Sequence, residues 1–164
     1  MNLTKEQCEY LINLAESKDA WKRIRFGLKT SYRTVVLALE DGDIKNLIIE
    51  YCKTQLNMDI INLEVGIIKY LPGDVFARHI DMGGTKHTKD FIYNINVILN
   101  DEYVGGEFYL NDVPYPKPMG EIYHYKSNEY HEVKKITKGT RYSALFFLRF
   151  RDLKKDTTKI KSVI

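Results

Sequence analysis

The sequence predicts an α+β fold, with helices covering one side of a sheet that closes into a sandwich or barrel. Three observations predict it. Apolar residues recur with helical period in two stretches of the first third, and from Leu63 onward short β-rich runs alternate with turn residues. The 164 residues contain no internal repeat and no linker of domain length. Helices followed by strands, rather than alternating with them, give the α+β order, and strands at this spacing suit a sandwich or barrel. The length predicts one domain, 1–164, with a helical part over about 1–60, a strand core over about 61–150 and a basic tail beyond.

The elements follow in chain order. Leu3-Thr4-Lys5-Glu6-Gln7-Cys8 carries a capping-box pattern, with Thr4 as N-cap, Gln7 at N3, and Leu3 and Cys8 as the hydrophobic staple. Cys8, Leu11, Ile12 and Ala15 continue as the apolar stripe of that helix. Thr34 to Leu39 is β-rich and predicts a short strand. Ile44, Leu47, Ile48, Tyr51, Cys52 and Gln55 give a second helix over about Ile44–Leu56, with Asp43 as its cap. Strands are then predicted over Leu63–Tyr70, Val75–Ile80, Phe91–Leu99, Glu107–Leu110, Glu121–Tyr125, Tyr130–Val133 and Arg141–Arg149. Turn residues separate them at Pro72-Gly73, Gly83-Gly84, Asn100-Asp101, Gly105-Gly106, Ser127-Asn128 and Lys138-Gly139.

Composition narrows the function classes. A formal charge of +3 is too small to argue for a nucleic-acid or membrane partner. The longest apolar run, Ala144 to Leu148, is far too short to span a bilayer. The first residues lack the basic-then-apolar pattern of an export signal, and the two cysteines, Cys8 and Cys52, sit on apolar helix faces as reduced thiols. A reducing cytoplasm is the expected location. Nothing in the sequence bears on oligomeric state.

Chemistry concentrates on four residues. His79 and Asp81 are two apart on a predicted strand, so their side chains leave on the same side. His131, from a distant strand, would complete a face of two imidazoles and one carboxylate, the ligand set of non-haem Fe(II) oxygenases. Arg141 would supply a fixed cation for an acidic co-substrate. By itself His-x-Asp is a pattern that chance supplies readily; the flanking segments give it meaning.

Tyr70-Leu-Pro-Gly73-Asp-Val-Phe76-Ala-Arg-His79-Ile-Asp81 resembles the Tyr-x-x-Gly-x-x-aromatic-x-x-His-x-Asp signature of the prolyl 4-hydroxylase-like branch of the Fe(II)/2-oxoglutarate dioxygenases. Asn100-Asp101 with Gly105-Gly106-Glu107 resembles that family's turn, and His131-Glu-Val with Gly139-Thr-Arg141 its C-terminal segment. The resemblance implies a double-stranded β-helix (jelly roll) with supporting N-terminal helices. It implies Fe(II) held by His79, Asp81 and His131, the distal carboxylate of 2-oxoglutarate paired with Arg141, and Tyr70 hydrogen-bonded to the co-substrate. The implied reaction consumes O2 and 2-oxoglutarate, hydroxylates an unactivated C–H bond and releases succinate and CO2, with ascorbate as a candidate reductant.

A prolyl residue of a peptide or protein is the first expected substrate. A free amino acid, another protein side chain and a nucleobase are the alternatives. A non-catalytic jelly-roll binding module and a Zn-dependent hydrolase are the competing classes; the retained ligands and Arg141 argue against both.

Ile92, Asn94, Asn96 and Ile98 share one face of their strand, and two amides inside an apolar strand suggest that this face looks into the pocket. An outward face, with the asparagines in solvent, fits the pattern equally well. Ile98 takes the place where some relatives carry a second tyrosine. Met82–Asp90, containing His87, is expected as a lid, His124 as a structural or rim residue, and Arg78, facing away from His79, as a salt-bridging residue.

Overall fold

The structure is a computed structural model that describes residues 1–27, 29–40, 42–81 and 93–150. The expected lid and the basic tail lie outside the described residues, as does Ile92. Helix α1 spans Lys5–Ser17 and carries the full capping box: Gln7 N–H donates to Thr4 Oγ1, and Thr4 N–H to Gln7 Oε1. Helix α2 spans Asp43–Leu56, so Asp43 is its first helical residue rather than its cap; Gly42 takes that place without a side-chain hydrogen bond. Asn57, in the left-handed conformation, ends α2.

The strands are β1 (Lys22–Phe26), β2 (Thr30–Ala38), β3 (Ile60–Tyr70), β4 (Val75–His79), β5 (Tyr93–Ile98), β6 (Tyr103–Gly105), β7 (Phe108–Leu110), β8 (Val113–Pro114), β9 (Ile122–Lys126), β10 (His131–Val133), β11 (Ile136–Gly139) and β12 (Arg141–Phe150). The first sixty residues therefore hold a β1–β2 hairpin between the helices. Its hidden strand, β1, is exposed on both faces except at Ile24, so it shows no apolar alternation to read.

Pairing is antiparallel along the order β8–β7–β10–β4–β2–β3–β12–β5–β9, with β1 beside β2 and with β11–β6 as a separate pair. The sheet curls until its ends face each other. Phe108 on β7 and Tyr125 on β9, far apart in strand order, bring their ring centroids within 5.3 Å. The result is the double-stranded β-helix implied by the sequence resemblance.

Curling gives the sheet two apolar faces. Outside, Val65, Ile67, Ile95, Val97, Ala144 and Phe146 pack with Leu11, Ala15, Ile48 and Cys52 of the helices. Inside, Tyr70, Ile98, Phe108, Tyr123, Tyr125 and Val133 form a second cluster. Alternation along β3, β5 and β12 sends successive residues to these two sides, so the strands that anchor the helices also wall the interior. No helix among the described residues is long and apolar enough to cross a membrane.

Candidate metal and co-substrate site

His79 ends β4, and Asp81 follows it by two residues. The Asp81 N–H donates to the Ser127 carbonyl at 2.9 Å, tying the end of β4 to the turn after β9. On β10, His131 is the cross-strand partner of His79, and partners in register share a face. Nε2 of His79 lies 3.1 Å from Asp81 Oδ1, and Nε2 of His131 lies 3.5 Å from Oδ2. One ligand atom from each of the three residues falls within 4.8 Å of the others.

The imidazoles are held by their other nitrogens. Nδ1 of His79 is 2.7 Å from the Ala77 carbonyl, and Nδ1 of His131 is 3.0 Å from that of Glu129. A carbonyl oxygen only accepts, so each Nδ1 carries a proton and each Nε2 is turned to the centre. Nε2 of His79 is buried and makes no hydrogen bond. Either a cation lies between these nitrogens and Asp81, or an imidazolium faces the carboxylate. Burial alone would raise the Asp81 carboxyl, but His131 and His79 overcome it and hold the group well below the usual carboxylate range. Asn94 adds an amide donor, with Nδ2 at 2.7 Å from Asp81 Oδ2. An N, N, O set with its second nitrogens anchored fits a divalent first-row ion.

Below this cluster lies a cavity of about 300 Å³. Its deepest polar group is Arg141, 2% exposed. The Arg141 guanidinium sits 5.4 Å from the ring of its register partner Tyr70 and 5.9 Å from that of Tyr103. Nη1 donates to Ser143 Oγ at 3.2 Å, whereas Nε is buried without a partner. Among the described residues no carboxylate pairs with Arg141, and a buried, uncompensated cation is costly. Such a group calls for an anionic ligand.

Phenols surround it. Burial lifts the Tyr70 hydroxyl well above its ordinary range, with Arg141 opposing, and pushes Tyr123 up to about 12, so both stay neutral O–H donors. Asn94 and Asn96, both buried, line the cavity, which removes the solvent-facing alternative for this strand. Nδ2 of Asn96 has no partner.

Two turns place Arg141. The Asn100 side chain donates to the Thr140 carbonyl and accepts from Tyr142 N–H, at 2.7 and 2.8 Å. Gly106, at φ +70°, leaves no room for a Cβ, which would come 3.0 Å from Arg141 Cδ. Just past Tyr70, at the end of β3 that pairs with Arg141, buried Asp74 accepts from Ser31 Oγ, Arg33 and the Leu71 N–H, locking the turn between Tyr70 and β4.

Sequence reasoning missed Tyr123, Tyr125 and Ser143 as cavity residues. The Tyr-His-Tyr alternation on β9 was the signal for the two tyrosines, which face in while His124 faces out to bond Tyr51 Oη of α2 at 2.8 Å. Arg78 points away from His79 and pairs with Asp112 at 2.6 Å.

The sequence matches the profile of the 2OG-Fe(II) oxygenase superfamily over residues 65–149. No curated protein sequence matches the chain. Among solved structures, a Pseudomonas putida prolyl-4-hydroxylase superposes with a TM-score of 0.71 at 16% identity, covering 91% of this chain and 89% of that one. The viral collagen prolyl hydroxylase of Paramecium Bursaria Chlorella virus-1, in its 2OG complex, gives 0.67 at 16%, covering 90% and 91%. A Trichoplax adhaerens prolyl hydroxylase, in complex with a hypoxia inducible factor oxygen degradation domain peptide fragment, gives 0.65 at 17%, covering 92% and 78%. These likenesses are of fold. The matched profile spans more than half of the sequence, and the chain belongs to the 2OG-Fe(II) oxygenase superfamily, as a dioxygenase whose chemistry uses Fe(II), 2-oxoglutarate and O2.

Proposed function

We propose that His79, Asp81 and His131 hold the Fe(II) ion, that Arg141 with Tyr70 anchors the distal carboxylate of 2-oxoglutarate, and that Asn94 and Asn96 contact the co-substrate side of the cavity. The observation that carries this reading is one cavity lined both by Asp81 and His131 of the three-ligand cluster and by a buried arginine that has no carboxylate partner among the described residues. When bound, the iron and 2-oxoglutarate supply the oxidation of an unactivated C–H bond by O2, with release of succinate and CO2.

The chain's own residues bind, orient and exclude. Ala77 and Glu129 carbonyls hold the imidazoles in the metal-binding tautomer. Asn94 fixes the rotamer of Asp81 through its amide. The guanidinium of Arg141 offers a planar fork matched to a carboxylate, and neutral phenols around it add donors without adding negative charge. Phe76, stacked on His79 with ring centroids 3.9 Å apart, and Phe108 keep one side of the cluster apolar.

A prolyl residue in a peptide or protein is the first substrate, a choice supported by the prolyl hydroxylases that share this fold. Fold alone transfers a substrate poorly, so free amino acids, other protein side chains and nucleobases belong in the same screen. Ascorbate would keep the iron ferrous. The two buried thiols, pushed up to about 11 by burial, suit a reducing cytoplasm.

The test is anaerobic addition of Fe(II) and 2-oxoglutarate. A weak visible charge-transfer band, followed by oxygen-dependent succinate formation, is expected. Protein shown to hold iron that gives neither result would overturn the assignment.

A further inference from the structure

The β1–β2 hairpin carries charge of one sign only. Residues 20–39 contain Lys22, Arg23, Arg25, Lys29 and Arg33 and no Asp or Glu, more positive charge than the whole chain's net +3. Arg33 is paired with Asp74. Lys22, Arg23, Arg25 and Lys29 are exposed and form no ion pair among the described residues.

This hairpin stands beside the cavity. Tyr32 of β2 lines it, and Ile24 of β1 is the register partner of Tyr32. Two residues along, on the same face, Phe26 pairs with Thr30, and Thr30 pairs with Phe76, the ring stacked on His79. Register partners share a face, so Phe26 lies two strands from Phe76 on the cavity side, about 10 Å away at the usual strand spacing. Phe26 is 68% exposed. Among the described residues β1 pairs with β2 alone, leaving its outer edge of N–H and C=O groups open.

Charges on an edge strand can serve only to prevent self-association. That purpose does not call for an exposed phenylalanine on the cavity side, nor for charge of a single sign. We propose that β1 is the docking strand for the substrate polypeptide, which adds along its free edge, sets an apolar side chain against Phe26 and Ile24, and places acidic residues against Lys22, Arg23, Arg25 and Lys29. The substrate is thus an extended peptide with an acidic flank next to the residue that enters the cavity. Backbone pairing supplies affinity in this mode, and the side chains supply selection. This inference rests on the peptide reading proposed above.

Binding can be read without turnover. The probes are a short fluorescein-labelled peptide with one proline flanked by Asp and Glu, the same peptide with Lys and Arg flanks, and a labelled single-stranded RNA, each titrated by anisotropy into the full chain without iron or 2-oxoglutarate. The acidic peptide is expected to bind, to weaken as salt rises, and to weaken about tenfold or more with Arg23→Glu/Arg25→Glu. Phe26→Ala should weaken it at every salt concentration. Lys5→Glu/Lys53→Glu, the same charge change on the helices, should leave it unaltered. Circular dichroism of each variant establishes that the fold is kept.

Equal loss with the helix variant, no loss with the hairpin variant, no binding of the acidic peptide, or tighter binding of RNA through the same residues would each overturn the proposal. A parallel succinate assay separates the two readings. Peptide binding through the hairpin without any succinate would keep the docking strand and sink the proposed function. Succinate formation indifferent to Arg23 and Arg25 would do the reverse.

Discussion

His131 is buried, is tied through Nδ1 to a backbone carbonyl, and turns Nε2 toward Asp81. Its replacement by alanine is therefore expected to abolish metal-dependent turnover and lower iron affinity at least about tenfold, by metal titration, with little change in fold. Arg141→Ala should leave iron binding intact and weaken 2-oxoglutarate binding, measured by the same charge-transfer band. Asp81 makes a pH prediction in the metal-free protein. Its carboxyl is lower in the folded chain than its ordinary value of 3.8, so folding favours the ionised form. The stability it contributes is present above that value and is lost as pH falls through the lower folded value. Against Asp81→Asn, the wild type should show a steeper loss of melting temperature below about pH 4, with chelator present throughout. His79 and Asp81 were legible by their i, i+2 spacing, and His131 and Arg141 by the family-like segments that carry them. Tyr123, Ser143 and Asp74 were not, since their roles come from pairings between strands that no local pattern encodes.

At the scale of elements, short turns set where the side chains arrive. Gly106 has φ +70°, and an added Cβ would meet Ile136 Cδ1 and Arg141 Cδ. Gly106→Ala should thus cost about 1–3 kcal/mol of stability, and it should weaken 2-oxoglutarate binding through the displaced arginine, separable by calorimetry from the melting change. The capping box of α1 gives a contrasting case. Thr4→Ala should cost about 1 kcal/mol in chemical denaturation and leave 2-oxoglutarate affinity untouched. The start of the N-terminal helix was readable to the residue, because capping is local chemistry. The β1–β2 hairpin was not: its outer strand is exposed, charged and without alternation, and only pairing with β2 makes it a strand. β6, β8 and β11 escaped for a related reason, being two to four residues long and defined by partners rather than by composition.

Across the whole molecule, one sheet serves two interiors. Ile95 packs under the helices while its neighbours Asn94 and Asn96 face the cavity. Ile95→Ala is expected to cost about 2–5 kcal/mol, seen as a lower denaturation midpoint, and to loosen the asparagines beside it. The curl that creates the cavity also buries Arg141 with an unpartnered Nε and no counter-ion among the described residues. An anion delivered to that guanidinium relieves a cost the empty protein carries. Under the proposed anchoring, 2-oxoglutarate at a hundred times its dissociation constant would add about 2.7 kcal/mol to folding stability. The protein's resistance to unfolding, and with it its resistance to proteolysis, would then rise and fall with the supply of a central metabolite, even before any substrate is met.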